Sequence, residues 1–192
     1  MKGCALDTDG DGNCPAHPLG CFATAVAAEV GRLVLQHVDV DVPLCATCFY
    51  HAVYTVEAIR RRGVRAILQA GSATWRYRAR ELDDGVASTH FGYEWIPGDP
   101  GHRERIEAGL MPEMHVWAAT VDPPAIVDYT TGLWPEQARR LGGHVWNAAK
   151  PPPFVWGVPT DACYIPDRDA VRCALEMAAR VFGVKRAREL VS

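Results

Sequence analysis

A histidine, a tryptophan two residues later and an aspartate thirteen residues on make two thirds of a nucleophilic site. They lie in MHVWAATVDPPAIVDYTT, residues 114–131, as His115, Trp117 and Asp128. An imidazole serves as general base, a carboxylate fixes its tautomer, and the chemistry then needs a nucleophile facing the other ring nitrogen. Alternation puts His115, Trp117 and Ala119 on one face of a strand, and Ile126, Asp128 and Thr130 on one face of the next. If Val121–Pro124 form the turn, Asp128 stands opposite Trp117 and diagonal to His115. Diagonal partners on paired strands are about 7–8 Å apart, within reach of an imidazole and a carboxylate together.

The third member has seven candidates: Cys4, Cys14, Cys21, Cys45, Cys48, Cys163 and Cys173. An odd count suits a disulfide scaffold poorly, leaving thiols, metal ligands or small buried hydrophobes. A helix N-terminus offers unpaired N–H groups and the positive end of a dipole, which favour a thiolate. Cys48 opens a predicted helix over 48–62, and Cys21 opens another over 21–37, so position alone does not choose between them. His51, three residues beyond Cys48, also approaches the thiol on that helix. Cys163 and Cys173 read as structural.

The elements that must position these groups follow from the pattern. With 192 residues, 48% hydrophobic and 22% charged, the chain is expected to form one domain burying roughly 70% of its unfolded surface. Twenty Lys plus Arg against 23 Asp plus Glu leave a net −3, which gives no global argument for nucleic acid. The arginines at 59–63 and 184–190 read as solvated faces. No apolar run is long enough to cross a membrane and no signal peptide opens the sequence, so the expected setting is a reducing cytoplasm.

Residues 1–20 are rich in Gly, Asp and Pro and read as irregular. After the two helices the period changes to two. Strands are expected at 64–71, 74–81, 89–96, 114–121 and 125–130, with a loop and one helical turn at 97–113. A short helix at 133–143, an edge strand at 151–159 and a closing helix at 167–183 complete the chain. Helices first, an antiparallel sheet next and a C-terminal helix last give an α+β domain.

Cys48 through Gly63, the following VRAILQAG, then His115-Val-Trp117 and Asp128-Tyr-Thr130 resemble the transglutaminase-like branch of the papain-like cysteine enzymes. The likeness covers about residues 45–131 and keeps the family order Cys, His, Asp. It implies a papain-like fold, with Cys48 as nucleophile, His115 as general base and acid, and Asp128 as orienter. It further implies a thioester intermediate, no cofactor, and a peptide, protein or small amide substrate, whether the outcome is hydrolysis, deamidation or transamidation. Backbone N–H at Cys48 would be an oxyanion donor. Trp75 and Trp117 are candidates to wall the acyl channel, although core packing is the simpler role for each.

Three rival sites lie elsewhere. Asp7, Asp9 and Asp11 with Gly12 start a calcium loop, but Pro18 stands where its bidentate Glu should be. DGDGNC (9–14) with His144 and Asn147 resembles ovarian-tumour-type deubiquitinases, though Pro15 and Pro18 oppose the helix that should follow Cys14. Cys14, His17, Cys45 and Cys48 have spacing suited to structural zinc, which would make this a non-enzymatic binding domain and silence Cys48.

Overall fold

The computed structural model describes residues 18–38, 47–78, 88–142, 151–159 and 162–192. Its first helix, α1 (Pro18–His37), turns Ala23, Val26 and Val30 inward at helical spacing while Leu35 faces water. The helix begins three residues before Cys21, inside the stretch expected to be irregular, so Cys21 is an exposed residue of the first turn. The following helix, α2 (Thr47–Arg61), lies between α1 and the sheet and is buried on most of its circumference. Phe49, Val53, Val56 and Ile59 are each at most 1% exposed, which on the usual scale contributes ~1.5–3 kcal/mol per side chain. Gly63, at φ +80°, ends α2 as the composition predicts. Its N–H donates to the Arg60 carbonyl and that of Val64 to the Ile59 carbonyl, a pairing that needs a left-handed residue at the turn.

The sheet is built around β1 (Ala66–Arg78), which replaces the two strands expected at 64–71 and 74–81. The break expected at Ser72-Ala73 does not occur because β6 pairs with both residues and β2 pairs with Ala73. Its first half pairs antiparallel with β3 (His115–Val121), and its second half pairs with both β2 (Ser88–Tyr93) and β6 (Ala162–Pro166). From β3 the sheet continues through β4 (Pro124–Asp128) to β5 (Val155–Gly157). Asp122 and Pro123 form a two-residue loop between β3 and β4, with Val121 paired to Pro124, the register expected from the alternation. The β6 strand was not anticipated from sequence. It is short and follows a proline-rich stretch, so its alternation is weak.

Beyond the sheet, α3 (Gly101–Glu107) is a helix of 7 residues where one helical turn was expected in the 97–113 loop, and α4 (Trp134–Gly142) follows a 3-10 turn at Thr131–Leu133. The closing α5 (Arg168–Phe182) is capped by Asp167, whose carboxylate accepts from the N–H groups of Asp169 and Ala170. A further short helix, α6 (Val184–Glu189), had no signal beyond its charges. The arginine runs join elements. Arg61 and Arg62 meet Glu29 of α1, Arg60 donates to the Ala66 and Ser192 carbonyls, and Arg186 grips Glu57 with two bonds of 2.5 and 2.9 Å.

One core lies between α1, α2, α5 and the sheet, holding Leu68, Ala70, Val116, Ala118 and Val127. A second, aromatic cluster gathers Trp75, Trp134 and Val155, with Phe91 and Tyr164 against it. The alternation of β3 thus sends Val116 and Ala118 to the helix side and leaves His115 and Trp117 for the aromatic side.

Two glycines test this packing in opposite directions. A methyl on Gly71 would overlap the Ile165 carbonyl oxygen where β6 joins β1, so Gly71→Ala should destabilise by about 2–3 kcal/mol. Gly31, in the middle of α1, has nothing within 4 Å of an added Cβ, so Gly31→Ala should stabilise by about 0.5–1 kcal/mol. Urea unfolding of both proteins checks the signs. A harmless Gly71→Ala would mean that β6 does not lie against β1 as described.

Candidate active site

Cys48 is the second residue of α2, and His115 is the first residue of β3. A strand's first residue sits at the end of the sheet, where a helix N-terminus packed on that sheet can meet it. The structure makes that meeting: the Cys48 thiol is close enough to His115 to couple to its ring by hydrogen bonding and by charge. The opposite ring nitrogen, Nε2, lies 2.7 Å from Asp128 Oδ2. Nδ1 is buried and makes no hydrogen bond of ordinary geometry, so it is the nitrogen left for the sulfur.

Asp128 is held by four donors. Oδ1 accepts from the Thr130 N–H at 2.8 Å and from the Thr130 hydroxyl at 2.6 Å. Oδ2 accepts from His115 and from the Tyr164 hydroxyl, each at 2.7 Å. With the carboxylate only 2% exposed, these bonds replace the water it gives up.

Four aromatic residues enclose the imidazole. Tyr93 and Trp117 stack on it at 5.3 and 6.0 Å, Trp134 meets it edge to face at 5.3 Å, and Tyr164 lies 6.0 Å away. Ring faces carry negative charge, so the stacked rings favour the protonated imidazole. Tyr93 is itself fixed by donating to Gln137 Oε1 at 2.5 Å.

The electrostatics follow from burial opposed by neighbours. Burial is the largest influence on His115 and favours its neutral form. The charge and hydrogen bond of Asp128, followed by those of Cys48, outweigh it and raise the imidazole to about 10. Burial likewise pushes Asp128 up, but the charge and hydrogen bond of His115, then Thr130 and Tyr164, bring it below the usual carboxylate value. The pair is therefore an imidazolium and a carboxylate.

His51 takes no such part. Its Nδ1–H donates back to the Thr47 carbonyl at 2.8 Å, and burial lowers its pKa. Trp117 touches the His115 ring, whereas Trp75 is buried against Trp134, with no direct ring contact to His115 among the described residues. Both tryptophans are packed at 3–7% exposure, so neither presents an open wall. Of the two cysteines read as structural, Cys173 is buried in α5, but Cys163 lies exposed on β6 because alternation turns it away from the side of Tyr164. Tyr93 and Trp95 are buried, Trp95 stacking on His102 at 3.8 Å. Sequence reasoning missed Trp134, Gln137 and Tyr164. For Tyr164 the short apolar run Ala162–Ile165 was the available signal.

The rival sites lie largely outside the described residues: the acidic turn at 7–12, Cys14 and His17, Cys45, and His144 with Asn147. Among the described residues no three His, Cys, Asp or Glu side chains are grouped to hold a metal. Nor is any described helix long and apolar enough to cross a membrane.

The buried pair makes stability depend on pH with a definite sign. An unfolded imidazole releases its proton near 6.5, whereas folded His115 keeps it to about 10. Its contribution is full below the first value and fades as pH rises through the second. Replacing Cys48 by Ser takes away the thiol coupled to the ring. In that protein urea stability should fall steadily from about pH 6.5 upward, and adding Asp128→Asn should flatten the decline. An equal slope with and without the carboxylate would show that Asp128 does not hold the charge on His115.

No family model, curated protein or solved structure matches this chain, so the reading of the site rests on its own geometry.

Proposed function

We propose that the protein is a cysteine-dependent acyl-transfer enzyme with a transglutaminase-like, papain-like core, acting in a reducing compartment such as the cytoplasm. One observation carries this reading. The His115 ring is bonded to Asp128 through Nε2 and is coupled to the Cys48 thiol at the N-terminus of a buried helix, which leaves Nδ1 for the sulfur. An imidazolium fixed in that position supports a thiolate by charge and by its second N–H.

In the proposed reaction the Cys48 sulfur attacks the carbonyl carbon of an amide and the carbonyl electrons move onto oxygen. The Cys48 backbone N–H lies in the first turn of α2 and is the proposed donor for that oxyanion. As the carbonyl reforms, the C–N bond breaks and His115 gives its proton to the departing amine. Water or an amine then attacks the thioester carbon and gives a proton to His115, and the C–S bond breaks to return the Cys48 thiolate. Asp128 keeps the same charge throughout and holds the ring orientation.

The thiol is only 1% exposed and His115 is fully buried, so a substrate reaches them through local opening of the surrounding chain. A small uncharged alkylating agent is therefore the suitable probe. Mass-resolved iodoacetamide labelling at mildly acidic pH should modify Cys48 about tenfold or more faster than Cys163, although Cys163 is exposed. His115→Ala should remove that advantage and Asp128→Asn should reduce it, each protein being checked for folding by circular dichroism. Cys48 reacting no faster than Cys163 in the parent, or equally fast without His115, would sink the proposal.

A further inference from the structure

Tyr164 takes no part in the chemistry described above, yet its hydroxyl ends on the same atom as His115. Both groups donate to Asp128 Oδ2 at 2.7 Å. The placement comes from the sheet, since β6 pairs with β1 so that Tyr164 stands opposite Ala73. Its ring rests edge to face on Trp117 at 5.1 Å and lies 6.4 Å from Trp134. Burial, and then the neighbouring carboxylate, push the phenol well above its ordinary pKa, so it remains an O–H donor.

We propose that Tyr164 is a positioning residue that sets the strength of the Asp128–His115 bond by sharing Oδ2 with the imidazole. The inference rests on the acyl-transfer reading. Thr130 already occupies Oδ1 with two donors, so without Tyr164 the other oxygen would answer to His115 alone. A donor on Oδ2 takes up part of its charge and weakens its pull on the Nε2 proton. That matters for a ring that must both support a thiolate and give a proton to a leaving amine. Held too tightly the imidazolium is a poor acid, and held too loosely it does not support the thiolate. A tyrosine that only filled space would be replaced without consequence by phenylalanine, which keeps the ring contacts.

Proton NMR of the full chain, labelled with 15N-histidine and observed at mildly acidic pH, reads the bond directly. The Nε2–H of His115 should give a downfield signal that is lost in Asp128→Asn. In Tyr164→Phe that signal should move further downfield, because Oδ2 serves one donor instead of two. With 3-fluorotyrosine at position 164, whose more acidic hydroxyl is a stronger donor, it should move upfield. If Tyr164→Phe fails to fold, the fluorinated protein still decides, since it keeps both ring and hydroxyl. A signal unmoved by the substitution that folds, with Cys48 still rapidly alkylated in the parent, overturns the role of Tyr164 alone. A slow Cys48 in the parent overturns the acyl-transfer reading, and with it any reaction for Tyr164 to serve.

Discussion

Everything near the sheet's end depends on one costly interaction, a carboxylate and an imidazolium taken almost completely out of water. Asp128 is 2% exposed and His115 is 0% exposed. Removing either partner would leave the other buried without compensation, at a cost of about 3–5 kcal/mol. The surroundings are arranged to prevent that. Four donors satisfy the carboxylate, and Tyr93 and Trp117 stack on the ring. Replacing such a pair with apolar residues often costs nothing in stability, so its presence here points toward chemistry rather than cohesion.

Holding this pair explains features of the fold that are otherwise unremarkable. The two-residue loop between β3 and β4 fixes the register, and one residue of slip would turn Asp128 to the opposite face of the sheet. Strand β1 runs for 13 residues because it must carry β3 on one half and both β2 and β6 on the other. Those three neighbours bring His115, Tyr93 and Tyr164 to one place. Gly71, paired with both His115 and Pro166, marks where these strands crowd together. Helix α2 then supplies the thiol, pressed onto the sheet by α1 and tied to α6 through Glu57 and Arg186.

The helices and the hairpin were legible because each has a strong local cause. Gly63 and Gly183 stop their helices, Asp167 caps α5, and the alternation around Pro123 and Pro124 fixes the return of Asp128. The Cys48, His115 and Asp128 set was legible because two of its members share a hairpin and the third opens a helix. What escaped was non-local. Tyr164 is 36 residues from the carboxylate it binds, and the five-residue strand bearing it pairs with the much earlier β1, where Tyr164 stands opposite Ala73. Trp134 and Gln137 reach the site from a short helix, one face of which meets His115 and Tyr93. No periodicity within these segments encodes such partners. The continuity of β1 through Gly71 was hidden for the same reason, since a glycine within a strand reads as a break until the strand packed against it is known.

The central claim is that His115 is an imidazolium whose two N–H groups point to Asp128 and to the Cys48 sulfur. Nitrogen-15 NMR of histidine-labelled protein near neutral pH tests it most directly. Both ring nitrogens of His115 should be protonated, and alkylation of Cys48 should change the Nδ1 resonance strongly while Nε2 stays bonded to the carboxylate. A neutral His115 with one bare ring nitrogen, unchanged when Cys48 is alkylated, would contradict the account.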